Sequence, residues 1–195
     1  MSDEPIASKW AQATFGQEAA QLVQVIPRAL HSAHERAKTA HLGVQTVTLE
    51  AYGHGLHAAQ YESLAGALAE VAGTSTIRLN GRDIVLLKDQ AFYPLRMPKR
   101  GGHLKRVSAL RRRLFDRHGP DPAQEALDLV WEEGGPDLEE IREGASDLPD
   151  NIQLIVLAYV CTVETGLVEL RWGHAELLDD GSLRWHDSEV MQLSM

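Results

Sequence analysis

With 195 residues, 44% of them hydrophobic, the chain can bury a real core as a single domain spanning 1–195. Its longest apolar run, Leu154 to Cys161, falls far short of the roughly 20 residues that a membrane span needs, so no membrane partner is expected. The lone cysteine, Cys161, excludes an intrachain disulfide, and the acidic stretch Met1 to Trp10 lacks the apolar core of a secretory signal; both point to the cytoplasm.

In chain order, residues 1–13 are expected to form a loose leader. Thr14-Phe15-Gly16-Gln17 then has the Thr-x-x-Gln spacing of a helix capping box. Ala19, Leu22, Val23, Ile26, Ala29, Leu30, Ala33 and Ala37 hold one apolar stripe to about Leu42, and the stripe keeps phase through Pro27, which predicts a kink or two abutting helices. Gly43 should end this element. A second helix is predicted from about Leu49 to Ala72, burying Tyr52, Leu56, Leu64, Leu68 and Val71. Gly53 and Gly55 each cost a helix about 1 kcal/mol against alanine, so they mark a bend or a close approach by another backbone.

Five histidines fall on these helices: His31, His34, His41, His54 and His57. The i, i+3 spacing would let His31, His34, His54 and His57 converge on a metal if the helices pack together. Neither pair belongs to an H-E-x-x-H sequence, and the ordinary reading is a plain helix face. No metal and no cofactor is expected.

Three strands follow over 76–97. Thr76-Ile77-Arg78-Leu79 alternates, Asn80-Gly81 suits a two-residue hairpin turn, and Ile84-Val85-Leu86-Leu87 returns as an unbroken apolar run covered on both faces, with Leu86 fully buried. In the third strand, Ala91 to Met97, Pro94 lacks an N–H, which predicts an edge position.

The next segment carries most of the positive charge. Lys99, Arg100, Lys105, Arg106, Arg111, Arg112, Arg113 and Arg117 are opposed only by Asp116, so eight positives less one negative give +7 in a chain of −9. Leu104, Val107, Leu110 and Leu114 recur at helical spacing, predicting an amphipathic basic helix from Lys105 to Arg117 that Gly119-Pro120 stops. Residues 121–150 reverse the sign, with eleven acidic groups against Arg142 alone. They are predicted to form two acidic helices, opened by Asp121-Pro122 and by Pro136.

The last third is predicted to be a β-meander over 152–186. Glu164-Thr165-Gly166 turns the chain, and Val168, Leu170 and Trp172 should share one face of the returning strand. Ala175 and Leu177 have the opposite parity, which a bulge at Gly173 would repair. The fold class is therefore α+β: two N-terminal helices, a three-stranded antiparallel unit, a basic helix and acidic helices, then the meander.

No catalytic signature is present, and Cys161 has no recognisable base partner, so it reads as a small buried hydrophobe. The basic helix points to a nucleic-acid-associated accessory or regulatory protein whose eight cationic residues contact the phosphates of DNA or RNA. The −10 segment beside it offers an intramolecular alternative, through Glu132, Glu133, Glu139 or Glu140. The order helix, three strands, helix, later strand resembles the core order of restriction-endonuclease-like nucleases, which carry an acid on the second strand and a (D/E)-x-K pair on the third. Asp83 could take the first position, but Ala91 to Arg96 contains no such pair, so the resemblance implies a scaffold without evident metal chemistry. A third reading is a protein-binding or assembly module with no nucleic-acid role, whose partner is another protein or the chain itself as a homo-oligomer. Fourteen arginines against five lysines suit a GC-rich bacterial genome.

Overall fold

The computed structural model describes residues 6–98, 102–120 and 148–193. Helices α1 (Lys9–Phe15), α2 (Ala19–Val44) and α3 (Glu50–Leu68) precede strands β1 (Thr74–Leu79), β2 (Arg82–Leu87) and β3 (Gln90–Met97). Helix α4 (Ala109–His118) leads towards β4 (Gln153–Thr162), β5 (Gly166–Leu177) and β6 (Leu183–Val190). All six strands form one sheet in the order β1-β2-β3-β4-β5-β6, antiparallel except where β3 lies parallel to β4. The α+β expectation holds, and the two groups of strands share a sheet. The acidic helices expected after Asp121 lie outside the described residues, as do Lys99 and Arg100.

The sheet is covered on both faces, and the parity of its residues divides them between two cores. Phe92, Ile155, Leu157, Tyr159, Leu170 and Trp172 pack with α1, α2 and α3. Ala91, Tyr93, Leu95, Leu154, Val156, Ala175 and Leu177 pack with Leu114 and Phe115 of α4. Each large side chain so buried contributes about 1.5–3 kcal/mol, which is why strands of unbroken apolar sequence settle here.

Two-sided cover overturns the bulge expected at Gly173. Leu170 and Trp172 belong to one core and Ala175 and Leu177 to the other, so the change of parity needs no repair. The register shifts lie elsewhere, between Val160 and Cys161 against β4 and between His174 and Ala175 against β6. The first shift leaves Val168 half exposed, off the face it was expected to share with Leu170.

The loose leader is also corrected. From Lys9 the chain is helical, with Ser8 Oγ capping Ala11 N at 3.1 Å, and Phe15 stacks on Trp172 with ring centroids 5.0 Å apart. Thr14 forms no capping box; its hydroxyl donates to the Trp10 carbonyl at 3.0 Å. Helix α2 runs through Pro27 without a break and ends past Gly43, on Gln45 in the left-handed region at φ 56°. Gly55 answers the close approach: a Cβ there would meet Ala37 Cα at 3.5 Å, whereas Gly53 faces open space.

The Asn80-Gly81 hairpin forms as expected, with φ of 47° and 71° and Leu79 paired to Arg82. Pro94 does not put β3 at an edge: β3 is interior, and along Gln90–Met97 it pairs with β4. On its other side, pairing with β2 stops at Phe92. The missing N–H therefore ends one ladder locally and leaves the strand interior. Leu86 is half-buried, not fully buried, while its neighbours Ile84, Val85 and Leu87 are buried.

Candidate anion-binding site

Where β2 parts from β3, a cavity of about 260 Å³ opens between the sheet, α3 and α4. Its apolar walls are Leu79, Ile84, Leu110 and Leu114, with the rings of Tyr61 and Tyr93. Its polar walls are His57, Asn80, Arg82, Ser108 and Arg111. Arg111 Nε donates to the Tyr93 hydroxyl at 3.2 Å, which fixes the guanidinium against the cavity. Neither Arg82 nor Arg111 forms an ion pair with a carboxylate of the described residues. Burial, then the charges of Arg82 and Arg111, push the His57 imidazole below its ordinary range.

The basic helix is shorter than expected, because Ser108 caps it: its hydroxyl accepts from Arg111 N at 3.3 Å. Lys105 and Arg106 precede it in a loop tied down by Leu104 N donating to Gly181 O at 2.8 Å, and both are exposed. The expected set of eight cations is thus divided. Arg112 pairs with Asp179 at 2.8 Å, and Arg117 Nε donates to Asp150 at 3.1 Å. Arg113 is half-buried and already engaged. Lys99 and Arg100 fall outside the described residues, as do Glu132, Glu133, Glu139 and Glu140. Exposed pairs such as Arg112–Asp179 are each worth about 1 kcal/mol or less, but they do cancel charge locally.

A second polar cluster lies beneath the α2–α3 hairpin. His34 Nδ1 is 2.9 Å from the Tyr52 hydroxyl and 3.4 Å from Cys161 Sγ, and that hydroxyl is 3.2 Å from the sulfur. Glu35 Oε1, 3.3 Å from His34 Nε2, holds the proton on Nε2 and leaves Nδ1 to accept from Tyr52. Cys161 therefore does have an imidazole partner, unlike the expectation. The pair nonetheless stays neutral, since burial pushes the thiol up and the imidazole down. Arg96 closes the cluster, lying over the Tyr52 ring at 5.4 Å and donating twice to the Cys161 carbonyl, at 3.2 and 2.9 Å.

Gln60 connects the two clusters. Tyr159 donates to its Oε1 at 2.6 Å, and its Nε2 lies 3.2 Å from His57 Nδ1. The four imidazoles do not converge: the rings of His31 and His34 are 6.3 Å apart, and His34 and His57 serve different clusters. Among the described residues no group of three metal-ligating side chains forms. Asp83 is held by Arg78 at 2.9 Å beside the hairpin turn. Compared with known proteins, the chain matches no protein family, no curated protein and no solved structure.

Arg82 and Tyr93 were missed as site residues in the sequence, and His57 was weighed there only as a metal ligand. The one sequence signal at the cavity was Pro94, whose missing donor announces an interrupted ladder.

Proposed function

We propose that the chain is a nucleic-acid-associated accessory or regulatory protein that works by binding phosphates at the N-terminal end of α4. One observation supports the reading: Lys105 and Arg106 are exposed, and neither has a carboxylate partner among the described residues. With Arg82 and Arg111 at the cavity beside α4 they would supply the local positive charge that a polyanion needs to approach a chain of net charge −9. On composition we place it in the cytoplasm of a bacterium.

The test is binding to duplex DNA, single-stranded DNA and RNA across a salt series. Replacing Lys105 and Arg106 by alanine should flatten the slope of log affinity against log salt by about 1.8 for duplex DNA, at roughly 0.9 per phosphate contact. Replacing Arg112 and Arg117, which already pair with Asp179 and Asp150, should leave that slope alone. Wild-type protein without salt-sensitive binding would sink the reading.

Two alternatives have observations of their own. A nuclease-like scaffold is favoured by the order helix, three strands, helix, strand, and adding magnesium to the same assay would expose cleavage. An assembly role is favoured by Leu42, Val44, Val47 and Leu49, all exposed around the tip of the α2–α3 hairpin, and a sizing column reads it directly.

A further inference from the structure

We infer that the cavity between β2, β3, α3 and α4 binds a compact organic anion, one with a small aryl or branched hydrocarbon body ending in a carboxylate or phosphate. Two guanidiniums, Arg82 and Arg111, reach its wall without a carboxylate partner among the described residues. Such groups form short, charge-assisted, bidentate bonds to carboxylate or phosphate oxygens. Much of the remaining lining is hydrocarbon and aromatic, from Leu79, Ile84, Leu110 and Leu114 with Tyr61 and Tyr93. An inorganic ion would leave that surface wet. A wholly apolar molecule would bury two guanidinium charges without a counter-charge, which is costlier still.

Size narrows the class further. At about 260 Å³ the cavity lies just under the roughly 300 Å³ where drug-sized pockets begin, so it suits one ring or a short branched chain. Pre-formation favours binding too: the Tyr93 hydroxyl already holds Arg111, so less side-chain freedom is lost when the anion arrives. His57 reports occupancy. Burial and then the two arginine charges hold its imidazole down, so an anion that neutralises those charges should raise its pKa.

The inference does not depend on nucleic-acid binding, and its test contains no nucleic acid. Titrating the full chain with benzoate, phenyl phosphate, inorganic phosphate and benzyl alcohol, by calorimetry and by the His57 ring resonances, separates charge from hydrocarbon. Benzoate or phenyl phosphate should bind one to one, and inorganic phosphate and benzyl alcohol should each bind about tenfold more weakly or worse. Arg82→Gln and Arg111→Gln should each weaken the aryl anion by about tenfold or more while moving the melting midpoint by no more than about 2 °C. Equal affinity for phenyl phosphate and inorganic phosphate would overturn the inference, since charge alone would then suffice. So would wild-type affinity in the double variant, or saturating ligand that leaves the His57 resonances unmoved. Failure of the Lys105 and Arg106 test alone would remove the nucleic-acid reading and leave this one standing.

Discussion

On one side of Gln60 lie Tyr159, Tyr52, His34 and Cys161, a polar cluster in which the donors and acceptors answer one another. On the other lie His57, Arg82 and Arg111, where two charged donors face a cavity. Both clusters draw on the α3 helix, and both hold a histidine in its neutral form, yet for different reasons. His34 is neutral chiefly because it is buried, whereas burial at His57 is reinforced by the two neighbouring cations. The closed cluster spends its hydrogen-bonding capacity on the fold. In the open one that capacity remains for something else, and this difference separates a structural feature from a site.

The comparison can be broken most forcefully at Tyr52. Tyr52→Ala removes a ring only 1% exposed and strips His34, Cys161 and Arg96 of their common partner. We expect a loss of about 3–5 kcal/mol in urea unfolding, as for other buried aromatic truncations. A cost under about 1 kcal/mol would show that the cluster does not hold the hairpin to the sheet. Tyr159→Phe is gentler: it keeps the ring and leaves Gln60 Oε1, in a residue 3% exposed, without its donor. A buried acceptor left unsatisfied costs about 1–3 kcal/mol, again read from the urea midpoint.

How much of this the chain discloses in advance depends on sequence separation. The Asn80-Gly81 turn was legible because two adjacent residues fix it, and the α2 stripe because its period survives Pro27. Polarity alternation misled at β5, where the strand serves two cores and a change of parity marks a change of core. Pro94 was understood chemically but not topologically: it ends the ladder towards β2 while the parallel ladder to β4 continues, and only the crossover places β4 there. His34 and Cys161 are 127 residues apart, and Arg82 and Arg111 come from a strand and a helix. No local pattern brings either pair together. Of the eight cations expected to act as one face, two are cancelled by Asp150 and Asp179, which reach α4 only through the fold.

Acid should act on both clusters, with a smaller effect. Burial is the first cause that lowers the imidazoles of His34, His57, His118 and His174 below the ordinary 6.5. Below that value the unfolded chain binds more protons than the folded one. Stability is therefore full above 6.5 and is lost as pH falls through it towards the depressed folded values. Urea midpoints measured from neutral pH downward should show this decline, and His34→Gln should make it shallower. An identical pH slope in the two proteins would remove His34 as a contributor.

The smallest stability change should come where the functional change is largest. Arg82 and Arg111 have no carboxylate to lose among the described residues, and each is only half-buried, so glutamine at either position keeps most of the packing. Arg111 gives up one hydrogen bond to a hydroxyl, and Arg82 gives up none among the described residues. We expect each substitution to move unfolding free energy by no more than about 0.5 kcal/mol, or slightly beyond that for Arg111. Each single substitution already relieves the repulsion between the two guanidiniums, so the double variant gains no further relief, and its total loss should stay within about 1 kcal/mol. A double variant destabilised by about 2 kcal/mol or more would mean the two arginines are held by an acceptor within the chain, and the open cluster would then be a closed one.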